Sequence, residues 1–242
     1  MQVPPTPILD ATVGVIAPYD FALDRELWRW APHDVSLAIT RSPTSPFPVS
    51  REQATDLAEA GIVRALAAEV RMTQAPVCAY LCTSGSFVHG AAGERRLVEA
   101  MRDAGFPHAV TTSGSLLAAI DALDVARVAI ATPYDDEITG LLVAYLADAG
   151  VEVTAARHLG LAGHIWTVDY TTTARLAIAA AKAGSGTEAL FLSCTNLASY
   201  DLIAPLETEL GIPVLTASHV TMWAALRAVG RRPEGAGRLL EL

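Results

Sequence analysis

The sequence predicts an α/β fold of two pseudo-symmetric lobes, with mainly parallel sheets flanked by helices and an active site in the cleft between the lobes. Short runs rich in Val, Ile and Leu alternate with longer Ala- and Leu-rich stretches polar on one side, the pattern of buried parallel strands joined by crossover helices. Three short motifs recur in the same order in the two halves of the chain. With 52% of its 242 residues hydrophobic and 18% charged, the chain has enough apolar material for a large core and is not disordered.

Strands are expected near 12 to 17, 35 to 40, 76 to 82, 108 to 111, 126 to 131, 151 to 155, 188 to 193 and 213 to 216, each an apolar run bounded by turn residues. Between them the helical period runs through 52 to 70, 91 to 104, 114 to 123, 136 to 149, 171 to 183, 201 to 210 and 218 to 228. Gly105, Gly150 and Gly211 each follow a last apolar turn, where a helix ends most readily in a left-handed residue. From Gly230 the chain, with Arg231, Arg232 and Pro233, is expected to form a surface strap.

The repeat divides the chain into lobes of 1 to 124 and 125 to 242, the second including that tail. Val15-Ile-Ala-Pro-Tyr-Asp20 returns as Ala129-Ile-Ala-Thr-Pro-Tyr-Asp135. Tyr80-Leu-Cys-Thr-Ser84 is matched by Leu192-Ser-Cys-Thr-Asn196, and Val110-Thr-Thr-Ser113 by Leu215-Thr-Ala-Ser218. All six copies fall where a strand runs out, and in open parallel sheets the loops beyond the carboxyl ends of strands form the binding crevice. Two such loop sets facing each other would bring Cys82 and Cys194 to one small ligand from opposite sides.

A thiol between a strand end and a helix start meets backbone N–H groups and the positive end of a helix dipole, so both cysteines are expected to have a lowered pKa. Thr83, Ser84, Thr195 and Asn196 would add hydroxyl and amide donors that bind a carboxylate without lysine or arginine. Two thiols flanking one carbon permit proton removal on one face and return on the other, or addition by one thiol and assisted elimination. Taken singly, a cysteine at a strand end is more often a small buried hydrophobe, which is the expectation for Cys78, without a repeat partner. Tyr19 and Tyr134 stand as phenol donors at the crevice, with a plain turn role weighed equally.

Other classes are set aside on composition. A net charge of −9, from 17 basic and 26 acidic side chains, argues against a nucleic-acid surface. Lys182 is the single lysine, and Schiff-base, pyridoxal phosphate or Walker chemistry would have to rest on it without any motif around it. Gly184-Ser-Gly-Thr-Glu-Ala189 follows a helix and precedes a strand, the reverse of a dinucleotide fingerprint. The six histidines lack metal spacing, so neither metal nor cofactor is expected. Three cysteines are too few for a disulfide framework, and Met1-Gln-Val-Pro-Pro-Thr-Pro7 does not read as a signal peptide. With no apolar run of membrane-spanning length, a cytoplasmic protein with no membrane partner, compatible with a homodimer, is expected.

At the Cys-Thr motifs the chain resembles the aspartate/glutamate racemase superfamily, in the branch that holds maleate cis-trans isomerase and arylmalonate decarboxylase. The likeness runs through Val13-Gly-Val-Ile-Ala-Pro18, Cys82-Thr-Ser-Gly-Ser86, Ala131-Thr-Pro-Tyr134, Ser193-Cys-Thr-Asn-Leu197 and the closing Trp223-Ala-Ala-Leu226. It implies two lobes around one site. In the isomerases one cysteine adds to the double bond of a cis dicarboxylate and another assists, and Cys82 and Cys194 occupy those positions here. Tyr134 matches a substrate-contacting tyrosine, and Thr83 and Ser84 match the oxyanion pocket of the decarboxylases, which lack the first cysteine and use the second as proton donor.

Two retained cysteines imply a cofactor-independent isomerase or racemase acting on a small carboxylate. A decarboxylase using Cys194 as proton donor is the alternative, and a non-catalytic small-acid binder a distant third. The isomerases carry an asparagine in the first loop and another after the sixth strand. Here those segments read Pro18-Tyr-Asp-Phe-Ala22 and Gly163-His-Ile-Trp-Thr-Val-Asp169. An aspartate facing a dianion would repel it, so Asp20 or Asp169 is expected to meet an amino, amide or hydroxyl group.

Overall fold

The computed structural model describes residues 11–242; the N-terminal segment 1 to 7, read above for a signal peptide, lies outside the described residues. The first sheet contains β1 (Ala11–Ala17), β2 (Val35–Arg41), β3 (Val77–Tyr80) and β4 (His108–Thr111), and the second contains β5 (Arg127–Thr132), β6 (Glu152–His158), β7 (Ala189–Leu192) and β8 (Val214–Thr216). The spatial orders are β2-β1-β3-β4 and β6-β5-β7-β8, the same order shifted by four strands. Every pairing is parallel. The two central strands of each sheet are almost wholly apolar and buried, as strands covered on both faces must be.

The crossovers are α1 (Asp24–Arg29), α2 (Arg51–Leu57), α3 (Ala60–Arg71), α4 (Thr83–Phe87), α5 (Gly90–Asp103) and α6 (Thr112–Ala122) in the first half. The second half contributes α7 (Asp136–Asp148), α8 (Tyr170–Ala183), α9 (Ile203–Leu210) and α10 (Ala217–Ala228). Gly105, Gly150 and Gly211 take φ of 95°, 82° and 73°, the left-handed C-terminal geometry expected of them. The equivalent helices α6 and α10 pack on each other between the sheets, with Thr221 Oγ1 donating to Thr112 Oγ1 at 3.0 Å. Among the described residues no helix is long and apolar enough to cross a membrane.

Two details differ from expectation. The helix expected over 52 to 70 is broken at Ala58, because the Glu59 carboxylate accepts the Ile62 N–H at 2.7 Å and starts a new helix. The break turns α2 toward the strand ends, where the site forms. The tail is a strap, but an anchored one: Arg231 Nε donates to Asp34 at 2.7 Å, Glu234 N–H donates to the Trp30 carbonyl at 2.9 Å, and Leu239 is fully buried.

Candidate active site

The strands of the two sheets end in equivalent ways. Leu81 N–H donates to the Ile16 carbonyl at 2.8 Å, and Ser193 N–H to Ala131 at 2.9 Å, so each central pair stays zipped up to the residue before its cysteine. Cys82 then follows in extended geometry and caps α4, while Cys194 is turned into the left-handed region at φ 88°. That conformation favours glycine and costs a non-glycine residue roughly 1–3 kcal/mol. It aims the side chain across the cleft, and Asn196 N–H donates back to the Cys194 sulfur at 3.4 Å.

Cys82 and Cys194 line one small cavity of about 30 Å³. From the first lobe its wall takes Pro18, Asp20, Cys82, Thr83 and Ser84, and from the second Tyr134, Cys194, Thr195 and Asn196. Val49, Gln53 and Leu57 descend from α2 and the loop before it, and Ile165 closes the opposite side. That loop is tied across the cleft by Val49 N–H donating to Ala162 O at 3.0 Å. A roomier groove of about 280 Å³ between α10 and the C-terminal strap contains neither thiol.

The expected site residues separate into four groups. Cys82, Cys194, Thr83, Ser84, Tyr134 and Asp20 meet at the cavity, where Thr83 Oγ1 is buried without a protein partner and Ser84 Oγ lies 3.9 Å from the Cys82 sulfur. Thr195 and Asn196 also line it, but their side chains are engaged in holding the lobes together. Thr195 Oγ1 donates to Leu81 O at 3.3 Å; Asn196 Nδ2 donates to Asp20 O at 2.9 Å, and its Oδ1 accepts from Ala22 N–H at 2.9 Å. Tyr19 stands behind the wall, its phenol accepting from Gln53 Nε2 at 2.8 Å, so it positions a lining residue. Asp169 is elsewhere, capping α8 through Thr172 N–H at 2.7 Å.

The expectation of lowered thiol pKa values is overturned. Burial pushes Cys82 up to about 11 and Cys194 to about 12. Hydrogen bonds from Gly85 N–H and Ser84 oppose the shift at Cys82, as Asn196 N–H and Tyr134 do at Cys194, and burial outweighs them. The dipole supposed to do the lowering is nearly absent: α4 has five residues, and Cys194 is followed by a turn instead of a helix. Cys78 is a core residue of β3, its thiol raised to about 12 by burial.

Sequence reasoning missed Val49, Gln53, Leu57 and Ile165, which come from segments with no motif, and it missed Gly85 and Tyr80. A Cβ on Gly85 would collide with the Tyr80 hydroxyl and lie 3.1 Å from the Cys82 sulfur. The glycine of Cys82-Thr-Ser-Gly85 was therefore a signal of close approach. Among the described residues no group of three His, Cys, Asp or Glu side chains is placed to hold a metal ion.

A family model described as arylmalonate decarboxylase matches residues 51–240. The arylmalonate decarboxylase of Bordetella bronchiseptica is 37% identical over 173 residues, covering 69% of this chain and 72% of that one. A crystal structure of a double mutant of arylmalonate decarboxylase in liganded form has a TM-score of 0.87 and 32% identity, covering 96% of this chain and 99% of that one. A Nocardia farcinica maleate cis-trans isomerase mutant with a covalently bound succinylcysteine intermediate has a TM-score of 0.82 and 25% identity, covering 95% and 98%.

Proposed function

The chain belongs to the arylmalonate decarboxylase family, and from that premise we propose that it is a cofactor-independent, two-cysteine isomerase or racemase of a small carboxylate. The observation that carries this is the convergence of Cys82 and Cys194 on one cavity with no cationic side chain in its wall. The substrate carboxylate is received by the partnerless Thr83 hydroxyl, Ser84 and nearby backbone N–H groups.

Cys82 acts as the thiolate once substrate has entered and its proton has left to solvent. On a cis double bond its sulfur forms a C–S bond, and the π electron pair takes a proton from the Cys194 thiol at the neighbouring carbon. The new single bond rotates. Cys194 thiolate then removes that proton, the C–S bond breaks, and the electron pair restores the double bond in the trans form. On an sp³ carbon the same pair exchanges a proton between faces. The succinylcysteine captured in the maleate isomerase relative supports the addition step.

A decarboxylase is the second reading, favoured by the 37% identity to arylmalonate decarboxylase; there Cys194 protonates the carbanion left by carbon dioxide, and Cys82 is dispensable. The test is Cys82→Ala and Cys194→Ala, each assayed in deuterated water on maleate, its monoamide, N-acyl amino acids and arylmalonates. Loss of turnover in both variants is expected. Carbon dioxide release that survives Cys82→Ala would establish the decarboxylase instead, and full activity in both variants would refute thiol catalysis.

A further inference from the structure

Asp20 is the one carboxylate in the cavity wall, and no lysine, arginine or histidine stands there to offset it. Its repeat mate shows what it is free from. Asp135 occupies the same place in the second lobe and is committed to capping α7, where it accepts the Ile138 N–H at 2.9 Å. In the first lobe Phe21, Ala22 and Leu23 separate Asp20 from α1, and the cap residue of that helix is Leu23. Asp20 therefore has no helix to cap, and it lines the cavity, partly buried.

Two further observations point the carboxylate at the reacting end of a ligand. Its charge reaches both sulfurs, raising the pKa of Cys82 and of Cys194. Its main chain is held in place by two 2.9 Å bonds, Asn196 Nδ2 donating to Asp20 O and Asn196 Oδ1 accepting from Ala22 N–H. Burial raises the pKa of Asp20 itself; a dicarboxylate bound across the thiols would set a second negative charge against its ionised form, and like-charge juxtaposition is strongly discriminating at a water-poor site. A donor group there would instead find a carboxylate hydrogen-bonded to its own backbone N–H.

We propose that Asp20 is the specificity-determining residue of this site: it receives an N–H or O–H donor at the end of the substrate opposite the carboxylate, so that the site takes a monocarboxylate carrying such a donor and rejects dicarboxylates. This rests on the cavity being the carboxylate site described above.

Matched probes test it by calorimetry on the purified full chain. Maleamate replaces one carboxylate of maleate with an amide, and 3-aminopropanoate replaces one of succinate with an ammonium. At least one of these two binds roughly tenfold or more tightly than its dicarboxylate partner, the expected effect of removing a like-charge contact, and which one does so identifies the donor. Asp20→Asn, whose fold is checked by its melting curve, brings the ratio to within about threefold. Equal binding within both wild-type pairs, failure of both donor probes to bind, or an unchanged ratio in Asp20→Asn overturns the proposal. Cys82→Ser, which abolishes turnover if the thiol mechanism is right, keeps the binding preference. A Cys82→Ser protein that keeps both turnover and preference counts against the mechanism alone.

Discussion

Asn196 reaches from the second lobe to the backbone of the first: its Nδ2 donates to Asp20 O at 2.9 Å, and its Oδ1 accepts from Ala22 N–H at the same distance. Thr195, its neighbour, makes the parallel reach to Leu81 O. The loop carrying Cys194 and the loops beside Cys82 are thus held by bonds that cross the cleft. Asn196→Ala removes two partly buried hydrogen bonds and is expected to destabilise the protein by about 1–3 kcal/mol. Asn196→Asp sets a carboxylate oxygen against the Asp20 carbonyl, where an N–H had been, and is expected to cost at least as much. Denaturant melts give the stability, and turnover should fall in both variants because the two thiols lose their common frame.

The raised thiols make a pH prediction with a definite sign. Cys82 at about 11 and Cys194 at about 12, against an ordinary 9.0, are protonated in the empty site near neutrality. Because the folded values lie above the unfolded ones, the contribution to stability is fully present below pH 9 and is lost as pH rises from there through the folded values. Alkylation by iodoacetamide should therefore keep accelerating well past pH 9, whereas a free thiol levels off there. A plateau near pH 9 at both cysteines, followed by mass spectrometry of the labelled peptides, would contradict the burial effect.

The sheets were legible because each strand is a continuous apolar run between turn residues, and a strand buried on both faces leaves that mark in a single sequence. The paired loops were legible only through the repeat, since neither Cys82 nor Cys194 is distinctive alone. What the sequence hid was set by tertiary contact. Gln53, Leu57 and Ile165 reach the cavity from segments without motifs. The short helices α1 and α4 carry too few residues to display a period. Asp20 and Asp135 look alike as letters, and their divergence depends on where the next helix begins. The dipole expectation failed because a local rule about strand ends was applied where burial decides the charge.

Gly85 offers a test that separates crowding from backbone freedom. It lies inside α4, where alanine would gain roughly 1 kcal/mol of helix propensity over glycine. The added methyl would meet the Tyr80 hydroxyl, and that hydroxyl is pinned to Leu57 O at 2.6 Å and cannot retreat. Overpacking of this kind costs about 1–3 kcal/mol, so Gly85→Ala is expected to be net destabilising and to depress activity by displacing the Cys82 sulfur. Gly140 in α7, where a Cβ meets nothing within 4 Å, is the control. Gly140→Ala should raise stability by about 0.5–1 kcal/mol and leave turnover unchanged. The reverse order of the two melting temperatures would show that crowding is not the deciding effect.

His219, near a motif loop in the sequence, is no part of the cavity wall. It is fully buried at the start of α10 and stacks on Trp30 with ring centroids 4.8 Å apart. Neither ring nitrogen has a hydrogen-bond partner among the described residues, and burial pushes its pKa down to about 3 from an ordinary 6.5. The folded state therefore holds a neutral imidazole while the unfolded chain takes up a proton below pH 6.5. The folded pKa being depressed, this contribution to stability is present above that pH and is lost as pH falls toward 3. His219→Phe keeps an aromatic ring against Trp30, removes two unpaired polar atoms, and removes the acid-linked loss. Its stability at pH 8 should be within about 1 kcal/mol of the parent, and its melting temperature should fall less steeply between pH 6.5 and 4. Parallel pH–stability curves for the two proteins would mean that His219 is protonated in the folded state as readily as in the unfolded one.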